Sequence, residues 1–158
     1  MKKLFFILFF LSFYSISQCQ TGSFIALLRY YNAPLDRHYL TTNPNEPGLQ
    51  NNAWHYEKTL GYVRTGTNPL GGNLYSWYNT SNSAHILSLS STPPPGYRDI
   101  IDVKGNVDYA PFAFTPVPIT EYYNPKTGDY CYTNSLAGEN LGSYVSHGVV
   151  FTISQYAE

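Results

Sequence analysis

Tyr30-Tyr31-Asn32, Trp77-Tyr78-Asn79 and Tyr122-Tyr123-Asn124 are three copies of one short phrase, and their spacing decides the architecture. The asparagines stand at positions 32, 79 and 124, so the period is 47 and then 45 residues. A period of roughly 20–50 residues marks a chain assembled from repeated supersecondary units. Working outward from the phrases, repeat one spans 25–66, repeat two 73–114 and repeat three 118–156. The joints, Thr67-Asn68-Pro69-Leu70-Gly71-Gly72 and Thr115-Pro116-Val117-Pro118, have the Pro and Gly density of exposed connections.

The same order of signals recurs inside each repeat. An aromatic strand comes first: Leu28-Arg29-Tyr30-Tyr31, Leu74-Tyr75-Ser76-Trp77-Tyr78 and Ile119-Thr120-Glu121-Tyr122-Tyr123. The asparagine then opens a polar turn, and a return strand follows, beginning near His38, His85 and Tyr130. Turn-forming residues between two β-type runs predict a hairpin. A polar stretch with room for one or two helical turns comes next. Segments centred on Gly61, Gly105 and Gly148 then read as a second hairpin, the glycines taking turn or bulge positions. Four short strands per repeat give about twelve in all. That count predicts an all-β fold: a closed pseudo-threefold barrel of β-trefoil type with short helical turns. A propeller normally needs about four blades or more.

Composition narrows the function. Residues 1–19 carry Lys2 and Lys3, an apolar run from Leu4 and small residues near Cys19, the pattern of a secretory signal peptide. Residues 20–158 then form a single extracellular domain. A lipoprotein reading, Ile16-Ser17-Gln18-Cys19 with lipid on Cys19, is the alternative. Without Cys19, Cys131 is the one remaining thiol and no internal disulfide can form. The net charge of −1 and the absence of a basic cluster argue against nucleic acid as a partner. No later segment reads as a membrane span. Tyrosine is the compositional outlier, with 16 in the chain. It fills a core, offers a hydroxyl and stacks on flat ligand faces, sugar rings included.

The phrase in repeat three, Tyr122 to Thr133, resembles a repeat of unknown function with the form Y-R-F-Y-N-P-x-T-G-D-H-F-Y-T-T, found in secreted bacterial and fungal proteins and often appended to hydrolases. Repeat one resembles it through Arg29 to Asn32, Asp36, His38, Thr41-Thr42, Glu46 and Trp54-His55-Tyr56-Glu57. The resemblance implies an extracellular accessory or binding module and supplies no activity. The motif's Asp-His pair is Arg37-His38 in repeat one, Ala84-His85 in repeat two and Asp129-Tyr130 in repeat three. No copy keeps the pair intact.

Candidate ligand-binding residues follow from the hairpins: Tyr31, Asn32, Asp36 and His38; Trp77, Asn79 and His85; Tyr123, Asn124, Asp129 and Tyr130. In this reading Asn, Asp and His hydrogen-bond sugar hydroxyls while a tyrosine or Trp77 stacks on the ring. In the competing reading the asparagines cap their own turns and the histidines hydrogen-bond across the hairpins. The four histidines show no close metal-ligand spacing, so no metal or other cofactor is expected. No G-x-S-x-G, H-E-x-x-H or Cys-His arrangement points to catalysis. Asn79-Thr80-Ser81 is a glycosylation sequon that a eukaryotic host would read. The expectation is therefore a non-catalytic, lectin-like module with up to three related sites for a glycan or cell-surface ligand. A structural or protein-interaction scaffold is the main alternative, a hydrolase or enzyme inhibitor the lesser one.

Overall fold

Each repeat folds as one three-stranded antiparallel unit. The computed structural model describes residues 23–66, 71–108, 115–135, 139 and 141–157. The expected signal segment, Cys19 and the last residues assigned to repeat two lie outside this range. Repeat one gives β1 (Phe24–Asn32), β2 (Arg37–Thr41) and β3 (Trp54–Arg64). Repeat two gives β4 (Gly71–Asn79), β5 (Ala84–Ser88) and β6 (Arg98–Asp108). Repeat three gives β7 (Pro116–Asn124), β8 (Asp129–Thr133) and β9 (Val145–Ser154). In every unit the first strand is central, paired with the short return strand on one side and the long third strand on the other.

The turn asparagines set the first hairpins. Asn32 Oδ1 accepts from the Leu35 N–H at 3.1 Å, Asn79 Oδ1 from Ser81 at 2.9 Å and Asn124 Oδ1 from Lys126 at 3.0 Å. The last residue of each turn is left-handed: Asp36 at φ 51°, Ser83 at 58° and Gly128 at 77°. These bonds reproduce a backbone turn with a side chain, which is why asparagine stands there.

The expected second hairpin does not form. Its place is taken by one long strand with two bulges, at matching positions in all three units. The first lies where Leu27, Leu74 and Ile119 pair, the second one turn of the pleat further on. Gly61 and Gly105 sit at the first bulge because another strand passes there. A Cβ on Gly61 would lie 2.6 Å from the Ser154 carbonyl oxygen, and one on Gly105 2.6 Å from Val63 Cγ2. The helical expectation reduces, among the described residues, to one 3-10 turn at Pro47–Leu49.

The three units meet through their long strands. Single bridges join Tyr62 to Ser154, Arg64 to Asn106 and Asp108 to Thr152, so β3, β6 and β9 each touch the other two. No continuous ladder closes them into a barrel, so the expected trefoil is corrected to an all-β assembly of three sheets joined at single points. The core is built in matched sets. Leu27, Leu74 and Ile119 form one, Leu40, Leu87 and Tyr132 a second, Val63, Val107 and Ile153 a third, all in one apolar cluster. Burying each such aliphatic side chain contributes about 1.5–3 kcal/mol.

Candidate binding clefts between repeats

An aromatic stands where each long strand begins, Trp54 as the first residue of β3 and Tyr97 and Tyr144 just ahead of β6 and β9, and each reaches toward the next repeat's hairpin. The sites are therefore assembled across junctions rather than within one repeat.

Between repeats one and two a cavity of about 250 Å³ is lined by Tyr39, Glu46, Leu49, Trp54, Tyr78 and His85, with Gly48 and Ser76 completing the wall. Tyr39 lies 5.8 Å from Trp54 and 4.5 Å from His85, ring centre to ring centre, at 57° and 60°. Tyr78 and His85 are 4.8 Å apart. The rings thus face one space from several directions. Glu46 supplies the carboxylate: Tyr39 donates to Oε1 at 2.5 Å and Thr41 to Oε2 at 2.6 Å. Beneath them Lys104, fully buried, donates to the Tyr39 hydroxyl at 3.0 Å and lies 3.7 Å from Glu46. Burial first, then Lys104, pushes the His85 pKa down to about 4, so its ring is neutral at physiological pH.

Between repeats three and one the same positions are filled differently. His38 Nδ1 lies 2.6 Å from Asp129 Oδ2, and the His38 backbone N–H donates to Oδ1 at 2.9 Å. Tyr144 donates to Asp129 Oδ2 at 2.7 Å. On the other side His38 Nε2 is 3.6 Å from Glu57, which also accepts from Arg29 Nε at 2.7 Å. Arg29 continues across the junction to Glu139 at 2.5 Å and to the Tyr132 carbonyl at 2.8 Å. Burial alone would lower the His38 pKa, but the hydrogen bond to Asp129 overrides it and lifts the pKa to about 10. His38 is a cation held between two carboxylates, with no lone pair free to act as a base at neutral pH. The Asp-His pair that no repeat keeps in sequence is thus rejoined in space, Asp from repeat three and His from repeat one.

Between repeats two and three the hydroxyls of Tyr97 and Tyr130 are neighbours. Tyr123 lies 4.8 Å from Tyr130 and stacks on His147 at 5.7 Å. His147 Nδ1 is 2.9 Å from Glu121, which also accepts from the buried Tyr132 hydroxyl at 2.7 Å. Glu57 and His147 are the unpaired residues at the second bulge of their strands, and each meets the first-strand side chain paired with the next position, Arg29 opposite Lys58 and Glu121 opposite Gly148.

The sequence candidates divide accordingly. Tyr31, Asp36, His38 and Asn124 line the cleft between repeats three and one, with Asp129 behind them. His85 lines the cleft between repeats one and two. Tyr123 and Tyr130 share the third junction. Asn32, Asn79 and Asn124 spend their side-chain oxygens on their own turns. Trp77 is a correction: it is 1% exposed, stacked on Tyr75, and cannot offer a face to a ligand. The residues missed are Trp54, Tyr97 and Tyr144, together with Tyr39, Tyr78 and Glu46. Trp54, Tyr97 and Tyr144 share one sequence signal, an aromatic where each long strand begins, while Tyr78 lies in the repeated phrase and Glu46 and Trp54 in the resembling motif.

Residues 12–93 match the family model described as a domain of unknown function (DUF5648). The chain belongs to this family. The DUF5648 match contains every residue that lines the cleft between repeats one and two, whereas the other two junctions reach beyond it. No curated protein and no solved structure matches the chain. Among the described residues no helix is long and apolar enough to cross a membrane, and no group of three or more His, Cys, Asp or Glu is placed to hold a metal ion.

Proposed function

We propose that the protein is a secreted, non-catalytic binding module whose principal site is the cleft between repeats one and two, and that its ligand is a single sugar ring. The observation that carries this reading is the set of Trp54, Tyr39, Tyr78 and His85 around one small cavity with Glu46 at its side. Small-ligand sites are mostly apolar, with a few placed polar groups that fix orientation. A sugar ring meets both demands, its C–H face on an aromatic plane and its hydroxyls toward Glu46, Ser76 and the neutral His85. A volume of about 250 Å³ suits one ring rather than a chain of them. An ammonium ligand suits the rings less well, because the Lys104 ammonium already lies 4.9 Å from the centre of the Tyr39 ring. The protonated state of His38 supports the non-catalytic reading. Secretion rests on the character of residues 1–19.

A glycan array followed by calorimetric titration of the monosaccharides it identifies tests the proposal. Binding lost in Trp54→Ala and kept in His147→Ala supports it. If no glycan binds, or if Trp54→Ala changes only thermal stability, the scaffold reading replaces it.

A further inference from the structure

The cleft between repeats three and one encloses about 350 Å³, and its chemistry differs from that between repeats one and two. The rings of Tyr31 and Tyr144 line it, their centres 4.9 and 6.1 Å from that of His38. Leu141 adds an apolar side chain, and Asp36 and Glu57 bring two carboxylates. The charges do not balance. Arg29 serves Glu57 and Glu139, and Lys58 also serves Glu139. His38 serves Asp129. Asp36 is served by a neutral group: the Tyr31 hydroxyl donates to Oδ1 at 2.8 Å. No Lys, Arg or His among the described residues forms an ion pair with the Asp36 carboxylate. The neighbouring Arg37 gives Nε, Nη1 and Nη2 to main-chain carbonyls, those of Asp36 and Asn82. Three cations thus face four carboxylates, and loss of the His38 proton only enlarges the excess. Between repeats one and two, by contrast, Glu46 has Lys104 at 3.7 Å.

We propose that the cleft between repeats three and one is a second binding site, and that it takes a small organic cation bearing one ammonium group. Asp36 is its anchoring carboxylate and Glu57 the second. The rings of Tyr31 and Tyr144 add the attraction of an aromatic face for a cation, an interaction used to hold ammonium ligands. The donor set suits an organic cation better than a metal ion, since no three carboxylates, imidazoles or thiols among the described residues converge to coordinate one. Two sources share this chemistry. The primary ammonium of an amino sugar donates charge-assisted hydrogen bonds to the carboxylates, whereas a trimethylammonium head packs on the rings. The site is independent of the sugar reading of the other cleft.

The test is titration of the full chain, followed by NMR, with glucosamine and with choline. Each is set against a neutral counterpart, glucose and 3,3-dimethylbutanol, at about pH 6, where such an amine keeps its proton. At least one cation is expected to bind about tenfold more tightly than its counterpart. Asp36→Asn removes the charge alone, because asparagine tolerates the left-handed φ of 51° and keeps an oxygen to accept from Tyr31. It is expected to cut the preference about threefold or more. A preference for glucosamine alone assigns the site to an amino sugar, and one for choline alone to a trimethylammonium head. A glucosamine held by its ring in the other cleft would bind as glucose does. No binding of either cation, equal binding of the neutral counterparts, or a preference unchanged in folded Asp36→Asn overturns the proposal. Should that variant fail to fold, the parent chain in rising potassium chloride decides it. A charge-driven site then loses the cation and spares the neutral compound, and insensitivity to salt is equally fatal.

Discussion

Asp129 and His38, 91 residues apart in the chain, meet at 2.6 Å and join the third repeat to the first. The pair is buried, and it sits beside a chain of charges running through Glu57, Arg29, Glu139 and Lys58. Removing one member of a buried pair leaves the other uncompensated, a loss of about 3–5 kcal/mol where no new partner is found. Asp129→Ala is therefore expected to lower the denaturant midpoint sharply. His147→Ala, on a side chain 42% exposed, is expected to change it little.

The alkaline limb of stability follows from His38. Its pKa rises from 6.5 in the unfolded chain to about 10 in the fold. The contribution is fully present below about pH 6.5 and is lost as pH climbs through about 10. Urea denaturation at intervals from pH 6 to 10 is expected to show a steady decline, flattened in a His38→Gln variant.

The acid limb has two sources of the same sign. Burial would raise the Glu139 pKa, but hydrogen bonds from Arg29, Lys58 and Thr133 override it and hold it at about 2, below its usual 4.5. Its contribution is present above pH 4.5 and fades as pH falls toward 2. His85, depressed from 6.5 to about 4, takes up its proton more readily in the unfolded chain, so stability drops as pH falls through that window. Maximum stability is expected near pH 6.5, where neither limb has begun. Glu139→Gln should remove the lower part of the acid limb and leave the alkaline limb intact.

The glycines of the long strands are not equivalent. Gly61→Ala and Gly105→Ala place a methyl within 2.6 Å of a neighbouring strand and also strain φ values of +152° and +133°. Each is expected to cost more than about 2 kcal/mol. Gly148 has φ +90° but nothing within 4 Å, so Gly148→Ala should cost only the backbone term, about 1–2 kcal/mol. Thermal melts of the three variants separate steric contact from conformational strain.

The two tryptophans report on different things. Trp77→Ala empties the core and should cost about 3–5 kcal/mol. Trp54→Ala should spare most of the stability and remove the ligand-dependent change in fluorescence. A Trp77→Phe protein that folds and still shows that change assigns the signal to Trp54.

The first hairpins were legible because asparagine announces a turn through local chemistry. The joints were not: Gly71-Gly72 and Pro116-Val117-Pro118, expected as exposed connections, are the opening residues of β4 and β7. Nor were the long strands. Gly61 and Gly105 resemble turn residues in sequence, yet glycine is demanded there by a strand distant in the chain, Ser154 for one and Val63 for the other. The trefoil expectation inherited that misreading, since twelve strands require the hairpins that the bulges replace. Trp77 shows the same limit on the site side: nothing in an alternating run of aromatics distinguishes the buried ring from Tyr78 beside it. Asp129 and His38 were each picked out as candidates, but in separate copies of the motif. Their partnership depends on which repeats abut, a fact held by no single repeat.

Because every cleft is half one repeat and half the next, the repeat is not the unit by which a site is inherited. A duplication that inserted a fourth copy between repeats three and one would sever Asp129 from His38 while creating two junctions of new composition. Gene-level changes in copy number would thus rewrite the chemistry of the clefts without altering a single codon at the rings that line them. A lineage that kept the clefts constant would have to hold the number and order of its repeats constant as well.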